Sequence, residues 1–252
     1  MAARKPIRVL VNSSEIIQVL SERGPLTPAE IGEAVGVPRP TAYRLAGALA
    51  AVGLASAGPD GRIALNLRLL HLADTALAAM TEWRASRAVL DTLAEATEQT
   101  AFLSVPRGDE AVCIDWAPGR GIGVLILKPG RALPFHAGAA GRTMLAHVDD
   151  PAPYLARAPF PQLTPTTLTT EAELLADRER SRADGYTVSE EDATVGIGAL
   201  GMPILSPAGV LVGALSIGGL ARDLQENRAA YLESLSVAAA DLTASYAAAS
   251  RA

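Results

Sequence analysis

Arg39, Thr41, Tyr43 and Arg44 are the residues whose types and spacing best match a known chemistry. A guanidinium can meet guanine O6 and N7 with two parallel hydrogen bonds, or it can hold a phosphate oxygen. Hydroxyls beside it bond phosphate oxygens, and a threonine or tyrosine side chain can touch a thymine methyl. Arg62 lies further on, where a cation would meet the backbone or minor groove of a duplex. With Thr27 and Pro40, the candidate DNA-binding set is Thr27, Arg39, Pro40, Thr41, Tyr43, Arg44 and Arg62. Any one of these alone is more often a solvated residue on an amphipathic helix. The order of the elements around them favours nucleic acid.

Three helices and a hairpin are predicted within residues 1–70. Asn12-Ser13-Ser14-Glu15 reads as a helix start, with Ile16, Ile17, Val19 and Leu20 on its apolar face. Gly24-Pro25 ends that helix. Thr27-Pro28-Ala29-Glu30 is a second capping box with proline at the first helical position. After the turn Gly36-Val37-Pro38, a third helix is predicted from about Arg39 to Ala51. Its core face is expected to be Leu45, Ala48 and Leu49, with Ala42 and Val52 nearby. Two short apolar runs around Asp60-Gly61 then read as a hairpin. This is the order of a winged helix-turn-helix, whose second motif helix enters the major groove.

Other chemistry-bearing patterns are weaker. Gly196-Ile197-Gly198-Ala199-Leu200-Gly201 matches the dinucleotide fingerprint in letters. Met202-Pro203-Ile204-Leu205 follows it, however, where the fingerprint needs a helix. His71, His136 and His147 are not spaced as a metal site. Arg107-Gly108-Asp109 reads as a hairpin turn, and Glu190-Glu191-Asp192 as a solvated acidic loop. Cys113 lies in the apolar run 111–114 and reads as a small buried hydrophobe. No catalytic residue, metal or cofactor is implied.

The net charge of −5 divides unevenly: residues 1–70 carry +3 and the remainder −8. A mildly basic head on an acidic body suits a nucleic-acid module joined to something else. A single cysteine excludes a disulfide within the chain and fits a reducing, cytoplasmic setting. The longest apolar stretch, 209–221, is shorter than the roughly 20 residues of a membrane helix.

Leu67, Leu70, Leu72, Leu77, Met80 and Trp83 recur at helical spacing and predict a helix over 66–90. Another helix is expected over about 84–97. From Thr100 the period changes to that of strands, at 101–105, 111–116 and 123–127. A Gly/Ala-rich helix near 137–147, a Pro/Thr loop at 159–170 and a capped helix from Thr170 follow. Strands at about 197–205 and 210–218 and a long helix over 222–250 close the chain. The predicted class is α+β, with domains at 1–70 and 91–252 joined by a linker helix at 71–90.

Over nearly its whole length the chain resembles the IclR family of bacterial regulators. The resemblance rests on residues 26–32, on Gly36-Val37-Pro38-Arg39-Pro40-Thr41-Ala42-Tyr43-Arg44-Leu45 and on residues 60–65. It continues in Leu133-Pro134-Phe135-His136-Ala137, Ala140-Gly141-Arg142, Gly185-Tyr186, Ser189-Glu190-Glu191 and residues 214–219. It implies a GAF-like C-terminal α/β effector domain, dimers or tetramers, and palindromic operators. It also implies a small-molecule effector, often an organic or aromatic acid. Carried onto this chain, the effector-binding residues would be Ala139, Ala140, Ser189, Ala199, Ser216 and Gly218; His136 is added as a candidate that either bonds an effector carboxylate or caps the Gly/Ala turn, the structural role being favoured. The chain departs from the family at Pro40, where serine is common, and at Arg142, where lysine is common. The expected function is a ligand-responsive DNA-binding regulator, acting as a repressor. The competing expectation is a small-molecule-processing enzyme with an N-terminal docking module. That reading needs a nucleophile, base and orienting group, and the sequence displays no compelling set.

Overall fold

In the computed structural model, which describes residues 7–121 and 127–250, the chain opens with helix α1 (Arg8–Arg23). The carbonyl of Ile7 accepts the amides of Leu10 and Val11 at 2.9 and 3.2 Å. The helix therefore starts before Asn12, and the residues read as its cap lie inside it. Ile16 and Leu20 are buried, whereas Ile17 and Val19 are only partly so. Helix α2 (Pro28–Val35) carries the expected capping box. Thr27 Oγ1 accepts the Glu30 amide, and the Glu30 carboxylate accepts the Thr27 amide at 2.7 Å. Gly36, at φ 69°, closes α2 in the left-handed region that glycine enters without strain.

Helix α3 (Arg39–Ala51) buries Ala42, Leu45, Ala46 and Leu49. These stand at i, i+3, i+4 and i+7, which is one face of a helix. The expectation that Ala48 and Val52 turn inward is corrected: both are exposed, Ala48 because it lies off that stripe and Val52 because the helix ends at Ala51, before it. Strands β1 (Ala55–Ala57) and β2 (Ile63–Leu65) pair antiparallel, and Leu26 bonds Ile63 on the other side. Their apolar residues Ala55 and Ile63 join Ile16, Leu20, Ile31 and the α3 stripe in one core. Helix α4 (Arg68–Ala78) follows and buries none of its residues.

The helix expected across 66–90 is interrupted. Met80, at φ −89° and ψ 64°, leaves helical geometry, and a single 3-10 turn spans Thr81–Trp83 before α5 (Ser86–Thr97). Packing divides the chain into two units at Ala79/Met80. Trp83 is 6% exposed and tilts over Tyr246 with ring centroids 5.0 Å apart. Seating an indole in the second unit's core turns the chain out of the first helix. Side-chain periodicity alone does not reveal that demand.

The second unit continues with β3 (Thr100–Arg107), β4 (Glu110–Ala117), β5 (Ala132–Pro134), α6 (Gly138–His147), α7 (Ala152–Leu155) and α8 (Glu171–Asp184). Then come β6 (Thr187–Glu190), β7 (Ile197–Leu205), β8 (Leu211–Leu220), α9 (Ala221–Glu226) and α10 (Arg228–Ala249). Among the described residues these strands form one antiparallel sheet in the order β5-β4-β3-β8-β7-β6. Most of the strand expected at 123–127 lies outside the described residues. β5 and β6 are additions to the sequence reading, and the long last helix breaks at Asn227. The glycine-rich run 196–201 leads into strand β7 rather than into a helix.

Strand alternation sorts the two faces of the sheet. Leu103, Leu200, Ile204, Leu215 and Ile217 point into a core with α5 and α10 residues such as Leu90, Leu93, Leu235 and Leu242. The intervening positions Ala199, Gly201, Ser216 and Gly218 face the other way, where α6 lies with α8 packed against it. A β-carbon at Gly201 would fall 2.7 Å from Thr143 Oγ1 and 3.0 Å from the Ala139 carbonyl. Only a hydrogen at that position lets α6 approach β7 this closely.

Candidate functional site

Two constructions stand out, one in each unit. In the first unit, the buried stripe of α3 leaves Arg39, Pro40, Tyr43, Arg44 and Gly47 exposed, with Thr41 partly so. Tyr43 is 59% exposed. Among the described residues Arg44 makes no ion pair or hydrogen bond, so its guanidinium is free for a partner outside the chain. Arg39 has only a loose exposed contact with Glu33, at 3.8 Å. Pro38 and Pro40 hold the start of the helix without needing amide partners, since the first amides of a helix are unpaired. Basic and hydroxyl side chains thus project from the first turns of one helix.

Thr27 and Arg62 are otherwise engaged. Thr27 spends its hydroxyl on the α2 cap, accepting from the Glu30 amide and donating to the Glu30 carboxylate at 2.9 Å. Arg62 reaches back from β2's approach to the Pro25 carbonyl at 3.1 Å and to Glu30 at 3.2 Å, with Asp60 at 3.7 Å. It ties the hairpin to α2. The Thr27 amide, and after it the Thr27 hydroxyl, hold the Glu30 carboxylate's pKa below its ordinary value.

In the second unit a cavity of about 70 Å³ opens between the sheet and the start of α6. Ala139, Ala140, Ser189, Ala199, Ser216 and Gly218 all line it, so six residues scattered over 80 positions of sequence converge there. Phe102, Leu127, Leu133, Gly138, Ala193, Thr194 and Ile197 complete the wall. The lining is mostly apolar, with hydroxyls at Ser189, Thr194 and Ser216. The sequence reading missed the apolar part of the wall, because those side chains carry no chemical signature and meet only in the fold.

Behind Ser189 lies a buried charged network. Arg142 on α6 is bracketed by two buried carboxylates: its Nε bonds Asp177 at 2.8 Å and its Nη1 bonds Asp192 at 2.8 Å. Asp192 also accepts the Gly138 amide at 3.3 Å and the Ser189 hydroxyl. Asp192 is 1% exposed, so the reading of residues 190–192 as a solvated acidic loop is corrected for this residue. Glu190 does remain exposed and pairs with Arg228 at 2.6 Å.

His136 is not among the residues that line the cavity. Its Nε2 faces the Pro161 carbonyl at 3.0 Å and its Nδ1 the Tyr154 hydroxyl at 2.8 Å, while its ring stacks on Phe160. A carbonyl only accepts, so Nε2 carries the proton. Its role is to join the β5–α6 connection to the loop after α7. Burial holds the His136 pKa below its ordinary 6.5, more than the Pro161 carbonyl raises it. The unfolded chain therefore takes up this proton near 6.5 and the folded chain resists it to lower pH. The stability this contributes is complete above 6.5 and is lost as pH falls below it. Urea midpoints are expected to drop between pH 7 and pH 5, with a shallower drop in His136→Gln. An equal slope in both proteins would refute this assignment. Cys113 is buried, and its thiol pKa is pushed up to about 12 by that burial, which leaves it unreactive at neutral pH.

Comparison with known proteins decides what this pair of constructions belongs to. Residues 9–58 match the IclR helix-turn-helix domain, and residues 75–244 match the bacterial transcriptional regulator IclR C-terminal domain. The chain belongs to the IclR family. This IclR-family chain is 33% identical over 201 residues to the HTH-type transcriptional regulator Rv1719 of Mycobacterium tuberculosis, covering 77% of this chain and 76% of that one. It is 33% identical over 132 residues to the HTH-type transcriptional repressor AllR of Salmonella typhi, covering 52% and 48% of the two chains. Among solved structures, an IclR homolog of Microbacterium hydrocarbonoxydans complexed with 4-hydroxybenzoate superposes with a TM-score of 0.79. The identity there is 22%, over 95% of this chain and 99% of that one, so the likeness is one of fold. As an IclR-family member the chain is a DNA-binding transcriptional regulator and not an enzyme. Among its described residues no helix is long and apolar enough to cross a membrane.

Proposed function

We propose that this regulator acts as a repressor whose α3 reads a palindromic operator and whose second unit takes a small-molecule effector in the cavity beside α6. The observation that carries the reading is the exposed start of α3, where Arg44 is free and Arg39 nearly so, over a well-buried helix stripe. Arg39, Thr41, Tyr43 and Arg44 supply the base and phosphate contacts, with Pro40 among them. Arg62 and Thr27 contribute indirectly by holding the hairpin and α2 in place. Leu67, Leu70, Leu72 and Leu77, on and just before α4, are all exposed, Leu67 by 80%. A second copy covering that surface would make the dimer a palindrome requires. The target places the chain in the cytoplasm.

Effector binding would shift the population between two arrangements of the paired DNA-binding units, with the 68–83 segment carrying the coupling. The direct test titrates the full chain against duplexes bearing its own upstream DNA, at several salt concentrations. Two half-sites about 34–36 Å apart are expected, with affinity falling steeply as salt rises. Equal affinity for scrambled duplexes would overturn the operator reading. Ala199→Leu, which fills the cavity from its wall, is expected to leave operator affinity unchanged. It should abolish the response to any compound that alters that affinity in the parent chain. A retained response would place the effector elsewhere.

A further inference from the structure

We infer that Gly47 is the point at which the bare backbone of α3 closes on the operator's base pairs, so that this glycine sets how deeply the helix seats in the major groove. The inference rests on the reading of α3 as the operator-reading helix. It adds to that interface a residue with no side chain.

Gly47 lies in the interior of α3, where glycine makes a weaker helix than alanine because it gives up more conformational freedom on folding. The packing of the first unit does not call for it. Among the described glycines of that unit, Gly24, Gly36, Gly53 and Gly61 hold positive φ, which a side chain would strain. Gly32 and Gly58 face neighbours that a β-carbon would crowd, the Val37 carbonyl at 3.1 Å and the Asp60 carboxylate at 2.7 Å. Gly47 has neither reason: it stands in regular helix, is exposed, and a β-carbon there would meet nothing within 4 Å.

Its place on the helix supplies the reason. At about 100° per residue, Gly47 falls within about 30° of the direction opposite the buried stripe of Ala42, Leu45, Ala46 and Leu49. Arg44 falls equally close on the other side, with Pro40 between them. Gly47 is thus as central to the outer face as the free guanidinium of Arg44, and nearly one turn further from the helix start. A helix with its side chains is about 10–12 Å across, and the major groove is about 12 Å wide and about 8.5 Å deep. An ordinary side chain on the centre line would hold the helix axis off the groove floor. With none at Gly47 the backbone itself makes the contact, as glycine permits wherever a ligand must approach closely, and Tyr43 and Arg44 reach correspondingly deeper.

The test sets helix stability against affinity in the full chain, with Gly47→Ala, Gly47→Leu and Arg44→Ala beside the parent. In the free protein, amide hydrogen exchange across residues 39–52 should slow about two- to fivefold in Gly47→Ala, because alanine is the better helix residue. Binding to the chain's own upstream DNA should nevertheless weaken, by roughly 10- to 30-fold in Gly47→Ala and at least about 100-fold in Gly47→Leu. An overfilled contact costs at least about a factor of five, and it is counted once at each of two half-sites. Scrambled duplexes should be bound almost as before, since phosphate contacts dominate there and need no seating over the bases. Circular dichroism checks that Gly47→Leu folds, and Gly47→Ala decides the matter if it does not. Unchanged or tighter operator binding in Gly47→Ala, with a loss in Arg44→Ala, would overturn the inference and leave α3 as the reading helix. Equal losses on operator and scrambled duplexes, or faster exchange in Gly47→Ala, would overturn it as well. No loss in any of the three variants would overturn both readings.

Discussion

Arg44→Ala is expected to weaken operator binding roughly 30-fold to 10⁴-fold while leaving the fold intact. The range follows from about 1–3 kcal/mol for each guanidinium-to-guanine contact, counted twice for a dimer on two half-sites. The fold should survive because Arg44 is exposed and its side chain makes no hydrogen bond or ion pair among the described residues, while its neighbours Leu45 and Ala46 hold the helix. The pattern of loss tells which group Arg44 meets. If it meets a base edge, selectivity between the operator and a single-position mutant collapses. If it meets phosphate, affinity falls evenly across sequences and the salt dependence becomes shallower by about one counterion per contact. Arg39→Ala should do less, since part of its charge already faces Glu33. Unchanged affinity in Arg44→Ala at every salt concentration would remove α3 from the interface.

Arg142→Met is expected to be the most damaging single change in the second unit, costing about 3–5 kcal/mol of stability. The methionine keeps much of the side chain's volume, so the loss is electrostatic. It strands Asp177 and Asp192, 4% and 1% exposed, each without its principal partner. Arg180 reaches Asp177 at 3.2 Å from the surface, but it cannot serve Asp192 as well. Arg142→Lys keeps the charge yet cannot form the two-nitrogen clasp on Asp177 and still span to Asp192, so it should fall between the two. The combination Arg142→Met, Asp177→Asn, Asp192→Asn should recover much of the loss, because no buried charge is then left unpaired. Urea unfolding followed in the near ultraviolet measures all three. A loss under about 1 kcal/mol for Arg142→Met would mean that water already reaches the network.

These two residues differ in how far their roles could be read from the sequence. Arg44 was legible because everything that presents it is local. Thr27 and Glu30 cap α2 across three positions, Gly36 turns the chain in a conformation suited to glycine, and Asp60-Gly61 makes the hairpin turn. Each depends on atoms only a few residues apart, so the order helix, helix, helix, hairpin follows from short-range chemistry. Even there, local signals misplaced the cap of α1, at Asn12 instead of Ile7, because a capping pattern has no force where the chain is already helical. Ala48 was set inward instead of Ala46 for a related reason: alanine suits either face, and only packing chooses.

Arg142 and its partners lay beyond that reach. Asp177 and Asp192 are 35 and 50 positions away from it, and nothing in the acidic run 190–192 separates the buried Asp192 from the exposed Glu190. The difference arises because β6 ends at Glu190 and the following turn folds back onto α6. Trp83 similarly showed helical spacing with the leucines before it, and only the second unit's core explains why the helix stops short of it. For the cavity, family resemblance located six wall residues, but the chain's own side-chain chemistry did not. The amino-acid sequence by itself determined the winged helix-turn-helix and the face it exposes, since capping, turns and amphipathic periodicity act between near neighbours. Tertiary structure alone decided which carboxylates are buried, which way Ser189 points its proton and where His136 turns, because those depend on desolvation and pairing between residues that only folding brings together.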